Sequence, residues 1–224
     1  MLAVACVVML SHGCSRQDAA SVIAFGEQYV QVVELQERAI AASYPYQLAA
    51  TPETRAVNDV FAKIRTRSAS RSDFENALQA EHERGWYLDH FQGEVEKFRA
   101  AVAELRTRAA AINDGELRRI ADDICRRFTA TLDSTAGLLD AQRERSRHVV
   151  VFFTEILSRE RRFPRLTDLQ ATGEQLDKLR ETMIQAMKEP GAAFERFRSL
   201  VESKLGLQLS PRSVAPRGAG NSPV

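Results

Sequence analysis

Much is missing from this 224-residue chain. Aromatic residues make up only 7% of it, with 1 Trp and 4 Tyr, while charged residues reach 27%, the composition of long, solvated helices. Neither sign of charge dominates. Lys and Arg number 31 against 30 acids, a formal net charge of +1, which argues against a dedicated nucleic-acid binder. The three cysteines, at positions 6, 14 and 125, form no Cys-x-x-Cys pair, which excludes a zinc knuckle, a thioredoxin-type redox site and a haem attachment motif. Cys125 sits beside the apolar stripe Leu117, Ile120, Ile124 and Phe128 and reads as a small buried thiol rather than a nucleophile.

Catalytic motifs are missing too. There is no Gly-x-x-x-x-Gly-Lys loop, no Gly-x-Ser-x-Gly elbow and no His-Glu-x-x-His. A helical di-iron site needs Glu-x-x-His on two helices, and no Glu-x-x-His occurs. The most site-like run, "EHERGWYLDH" at 81–90, places Glu83 with His90 and His82 with Asp89 on shared faces. Trp86 and Tyr87 in that run read as packing at the end of a bundle, with a contact patch as the alternative. Glu144 and His148, one turn apart, read as a surface contact. These absences point to a protein that binds rather than catalyses, with no metal and no cofactor.

What is present is helical periodicity. Val22, Phe25, Tyr29, Val32 and Ala39 recur at helical steps, and Pro45 predicts a break after Ser43. Thr51-Pro52 restarts a short helix as N-cap and first residue, carrying Val57, Val60, Phe61 and Ile64. Ser72 is the expected cap of the next helix. That helix carries Leu88, Phe91, Val95, Phe98, Val102, Leu105, Ala109 and Ile112 at alternating steps of three and four, a heptad seam. Some 40 residues at about 1.5 Å each make it roughly 60 Å long.

After the turn signal at 113–115, a second long helix is expected from Glu116 towards Arg162. Its seam runs from Leu117 through Phe128, Leu139, Gln142, Ser146 and Val149 to Phe153 and Ile156. Residues 149–157 are apolar on nearly all sides and predict a segment surrounded by neighbours. Thr167 and Gln170 have capping-box spacing. Leu169, Leu176, Leu179, Met183 and Met187 mark a further helix face, Pro190-Gly191 a break, and Phe194, Phe197, Val201 and Leu205 a last helix. The fold class expected is all-α: an elongated antiparallel helical bundle with two long coiled-coil-like helices. Its boundaries would be a leader at 1–13, the bundle at 14–205 and a disordered tail at 206–224.

Two features bear on function. Between Arg143 and Arg165 stand seven arginines and three acids. Such a run is usually a solvated helix face, but Arg143, Arg145, Arg147, Arg161 and Arg162 are candidates for contact with anionic headgroups or an acidic partner. At the other end, the nine apolar residues Leu2–Leu10 are about half of what a bilayer-spanning helix requires and fit the apolar region of a secretory signal. A core helix and an ordinary secretory signal are both open readings of this stretch. With Ser11, Gly13 and then Cys14, it resembles the lipobox of bacterial lipoproteins.

That resemblance implies cleavage before Cys14, acylation of that cysteine, and a periplasm-facing chain held to a membrane. Ser15 after the cysteine resembles lipoproteins sent to the outer membrane. The layout of leader, helix, Pro-containing loop, two long helices and an Arg-Phe-Pro turn is similar to an uncharacterised family of Gram-negative helical lipoproteins. An envelope-protein partner is the expectation that follows. "LTDLQ" at 166–170 also matches the Leu-Thr-x-x-Gln signature of small periplasmic helical chaperones, an alternative role. A third alternative is a ligand-sensing bundle or enzyme with a pocket lined by the histidines or Trp86, near Gln142 and Ser146.

Overall fold

A computed structural model describes the backbone of residues 2–47, 51–158 and 166–209, and the side chains of 18–46, 51–158, 169 and 171–209. Among these residues there are six helices and no strand: α1 (Leu2–Gln47), α2 (Pro52–Arg65), α3 (Arg71–Ala110), α4 (Gly115–Leu157), α5 (Leu166–Ala186) and α6 (Glu189–Leu205). The protein is an all-α helical bundle. Three of its helices reach 40 residues or more, one beyond the two expected from the heptad seams. None of the described helices is long and apolar enough to cross a membrane.

The helix starts follow local hydrogen-bond chemistry. The Thr51 side chain accepts from the Thr54 backbone N–H at 3.2 Å, with Pro52 in the first turn where its missing N–H costs nothing. The cap of α3 is Ser70 rather than Ser72. Ser70 Oγ accepts from the Asp73 N–H at 3.3 Å while Asp73 Oδ2 accepts from the Ser70 N–H at 2.8 Å, a reciprocal capping box. Asp114 caps α4 by accepting from the N–H groups of Glu116 and Leu117.

Three helix boundaries fall elsewhere than expected, at Pro45, at Pro190-Gly191 and at Thr167. Helix α1 continues through Gly13 and Cys14 and past Pro45 to Gln47. A proline so near the C-terminal end removes one backbone bond without disturbing a long run. Pro190 and Gly191 lie in the first turn of α6, and the chain turns before them, at Met187 and Lys188. Thr167 lies inside α5, which already includes Leu166, so it does not stand ahead of the helix as a cap. Its side chain, with that of Gln170, is outside the described residues.

The residues group into two compact units. One comprises Met1–Glu34, Ala100–Arg127 and Pro190–Val224. Its core stacks Tyr29 on Phe194, centroids 3.6 Å apart, and packs Phe25 against Phe197 at 4.9 Å. Burial, and then Glu195, push the Tyr29 phenol up to about 12. The Cys125 thiol is buried and is pushed up to about 12 by burial first and Asp122 second.

The other unit comprises Leu35–Arg99 and Phe128–Glu189. Val57, Val60, Ala77, Val149, Phe152, Phe153 and Leu169 gather α2, α3, α4 and α5 around one apolar cluster. The stretch 149–157 is not surrounded as expected. Val149, Phe152 and Phe153 are buried, but Val151 is 51% exposed.

Candidate functional site: an arginine-lined cavity

The seam of α3, followed backwards from Leu88 at the same three-four rhythm, reaches Arg84, Glu81, Ala77 and Phe74. Two charged residues therefore stand where apolar ones are due. Both are buried, Glu81 at 1% and Arg84 at 4% exposure. Burial of an ion pair is tolerated only when its remaining hydrogen-bonding capacity is met. Here Arg84 Nη1 donates to Glu81 Oε2, Arg84 Nη2 donates to the Tyr46 carbonyl oxygen at 2.7 Å, and Tyr46 Oη donates to Glu81 Oε1 at 3.0 Å.

The Tyr46 ring lies beneath the guanidinium, 4.1 Å from centroid to Cζ. Burial, and then the Glu81 carboxylate, hold the Tyr46 phenol well above its ordinary range. Nearby in sequence, Gln142 Nε2 donates to the Ser43 carbonyl oxygen at 3.3 Å. Two buried side-chain atoms in this group have no partner among the described residues: Arg84 Nε and Gln142 Oε1.

Beside this network is a cavity of about 130 Å³. Tyr46, Asn58, Arg84, Arg145, Gly173, Asp177 and Arg180 are among the residues that line it, bringing α1, α2, α3, α4 and α5 together. Gly173, Asp177 and Arg180 share one face of α5, since they are four and three residues apart. Gly173 makes room for Arg145: a Cβ there would stand 3.3 Å from Arg145 Nη1. Arg180 Cζ lies 5.7 Å from the Tyr44 ring centroid, and its Nε is buried without a partner.

Charge in the cavity does not balance. Glu81 neutralises Arg84, which leaves Arg145 and Arg180 against the single carboxylate of Asp177. Arg145 and Arg180 have no ion pair among the described residues. Such a cavity can hold an anion and orient it through fork-shaped donors.

The arginines singled out in the sequence part company here. Arg143 donates to Gln92 Oε1 and lies 3.8 Å from Asp89, and Arg147 pairs with Glu144 at 3.1 Å. Both line an open groove on α4 with Asp140 and Gln175. Arg145 alone lines the cavity. Arg161 and Arg162 lie outside the described residues. Cys14 has a helical backbone in α1, and its side chain is outside the described residues.

The histidines and Trp86 do not line the cavity. His82 and His90 are exposed, and Trp86 is 67% exposed rather than packed at a bundle end, stacking on His90 with centroids 5.9 Å apart. Tyr87 Oη donates to Glu53 at 3.3 Å, and His148 Nε2 pairs with Glu144 at 3.1 Å. Among the described residues no three His, Cys, Asp or Glu side chains gather as a metal site. Sequence reading missed Glu81, Arg84 and Arg180. The extended heptad register would have found the first two, whereas Arg180 carries no local signal. No protein-family model, curated protein or solved structure matches the chain.

Proposed function

We propose that the protein is a lipid-anchored binding module of the bacterial cell envelope. The observation that carries this reading is Cys14, which follows Ser11, His12 and Gly13 at the end of the apolar run Leu2–Leu10. A single acyl chain gives only marginal, reversible attachment, so stable anchoring requires at least two. The diacylated and amide-acylated cysteine of the lipoproteins it resembles meets that requirement. Anchored in this way, the helical bundle faces the periplasm, with the outer membrane favoured by Ser15, and acts by holding an envelope partner or ligand. An arginine-lined cavity in the bundle suits the holding of an anionic group, because Arg145 and Arg180 outnumber the single carboxylate of Asp177.

Metabolic labelling with a fatty-acid analogue tests the anchor. The wild-type chain is expected to take up label and fractionate with membranes, and Cys14→Ser to lose both. Label that persists in Cys14→Ser, or a wild-type chain that takes up none, overturns the reading.

A further inference from the structure

We propose that the cavity between Arg84, Arg145 and Arg180 is a binding site for a tetrahedral oxyanion, a phosphate or phosphate monoester. The inference stands on the cavity's geometry alone and does not depend on acylation of Cys14.

Three observations carry it. First, guanidinium groups from three helices, α3, α4 and α5, line one small cavity. Arginines repel one another, and such convergence is stable when an anion offsets it. Second, two of the arginines that line it each carry a buried, unpartnered donor: Nε of Arg84, itself 4% exposed, and Nε of Arg180. Buried donors in folded proteins find acceptors, and none comes from the described protein atoms. Third, Gly173 keeps the α5 backbone against Arg145 Nη1 without a side chain between them.

The number of free donors selects the ligand. Arg84 already uses both terminal nitrogens within the protein, so it offers Nε only. Arg145 and Arg180 each offer a whole fork. A carboxylate has two oxygens and satisfies one fork. A phosphate has oxygens enough to accept from two forks and a further N–H at once. Asp177 reduces the net charge of the cavity to about one positive unit, which still favours an anion.

The same chemistry comes from two sources, a soluble phosphate compound or the exposed headgroup of phosphatidic acid. Calorimetric titration of the full 224-residue chain with inorganic phosphate, and with acetate at matched ionic strength, tests the site. Sedimentation with vesicles of phosphatidylcholine, alone or mixed in equal parts with phosphatidic acid, separates the sources. Phosphate is expected to saturate one site and acetate to bind more weakly. Arg145→Gln and Arg180→Gln are each expected to weaken phosphate by about tenfold or more, the size of a lost charge-assisted hydrogen bond. Gly173→Ala keeps every arginine, fills the space beside Arg145 and is expected to weaken phosphate with helix content unchanged by circular dichroism. The exposed Arg126→Gln should bind as wild type does.

Vesicle binding that requires phosphatidic acid, is displaced by phosphate and is lost in Arg180→Gln identifies a lipid headgroup as the source. Phosphate binding without vesicle binding identifies a soluble ligand. Absence of a phosphate isotherm, acetate binding as tight as phosphate, or unchanged affinity in both arginine variants overturns the proposal.

Discussion

The Arg84 guanidinium lies 4.1 Å from the centroid of the Tyr46 ring and donates to the backbone carbonyl of that same tyrosine at 2.7 Å. One residue of α1 thus holds a buried cation both with its ring face and with its backbone carbonyl. The Glu81 carboxylate supplies the counter-charge and also accepts from Tyr46 Oη. Removing it leaves Arg84 buried without its partner. Glu81→Ala is expected to lower stability by about 3–5 kcal/mol, the usual consequence of breaking a buried pair from one side. Tyr46→Phe, which loses one hydrogen bond and keeps the ring, should lose about 1 kcal/mol. Urea denaturation followed by circular dichroism measures both, and equal small losses would show that the pair is not buried as described.

Asp114 ties two helices at once. Its carboxylate accepts from the N–H groups of Glu116 and Leu117 at the start of α4 and from Lys204 of α6 at 3.0 Å. The backbone bond from Leu117 is the main cause that holds its carboxyl below the usual range, with Lys204 next. A carboxyl depressed in the folded state contributes stability above its unfolded value, roughly 3.9. That contribution fades as pH falls through the lower folded value. Asp114→Ala should lose about 1 kcal/mol near neutral pH, and Asp114→Asn less, because asparagine caps equally well. In acid titrations the wild-type advantage over Asp114→Ala should shrink below about pH 4. An advantage that grows with acid would contradict the assignment.

Arg67 has the backbone conformation that glycine favours, with φ at 55°. It follows the end of α2, where the Ser68 N–H bonds the Lys63 carbonyl at 2.9 Å and the Arg67 N–H bonds the Ile64 carbonyl at 3.1 Å. This pair of bonds is the Schellman pattern, whose left-handed residue is usually glycine. Relief of the side-chain clash is worth about 1 kcal/mol. Arg67→Gly is therefore expected to raise the thermal midpoint, and a lowered midpoint would mean that the Arg67 side chain has a structural role of its own.

Much of this fold is legible in the sequence because burial follows periodicity. All eight seam positions from Leu88 to Ile112 are buried, as are Val22, Phe25, Tyr29, Val32 and Ala39 of α1. Helix ends were less legible. A residue such as Ser70 or Ser72 caps according to where the backbone turns, and two candidates two residues apart look alike until that turn is fixed. The cavity was the least legible part. Arg145 stood out only as one of a run, and nothing local distinguishes it from Arg143 or Arg147. What separates them is the opposing helix, which meets Arg145 with Gly173, whereas Gln92 and Glu144 engage the other two. Arg180 lies 35 residues further along the chain, and only packing brings the two together.

Whether Arg84, Arg145 and Arg180 act as one binding site is tested most directly by nuclear magnetic resonance of the arginine Nε–H groups during a phosphate titration. Loss of one signal in each of three single Arg→Lys variants assigns the resonances. The Nε–H signals of all three are expected to move along one saturation curve, with that of Arg126 unmoved. Signals that stay still, or that move no further than Arg126 does, would contradict the site.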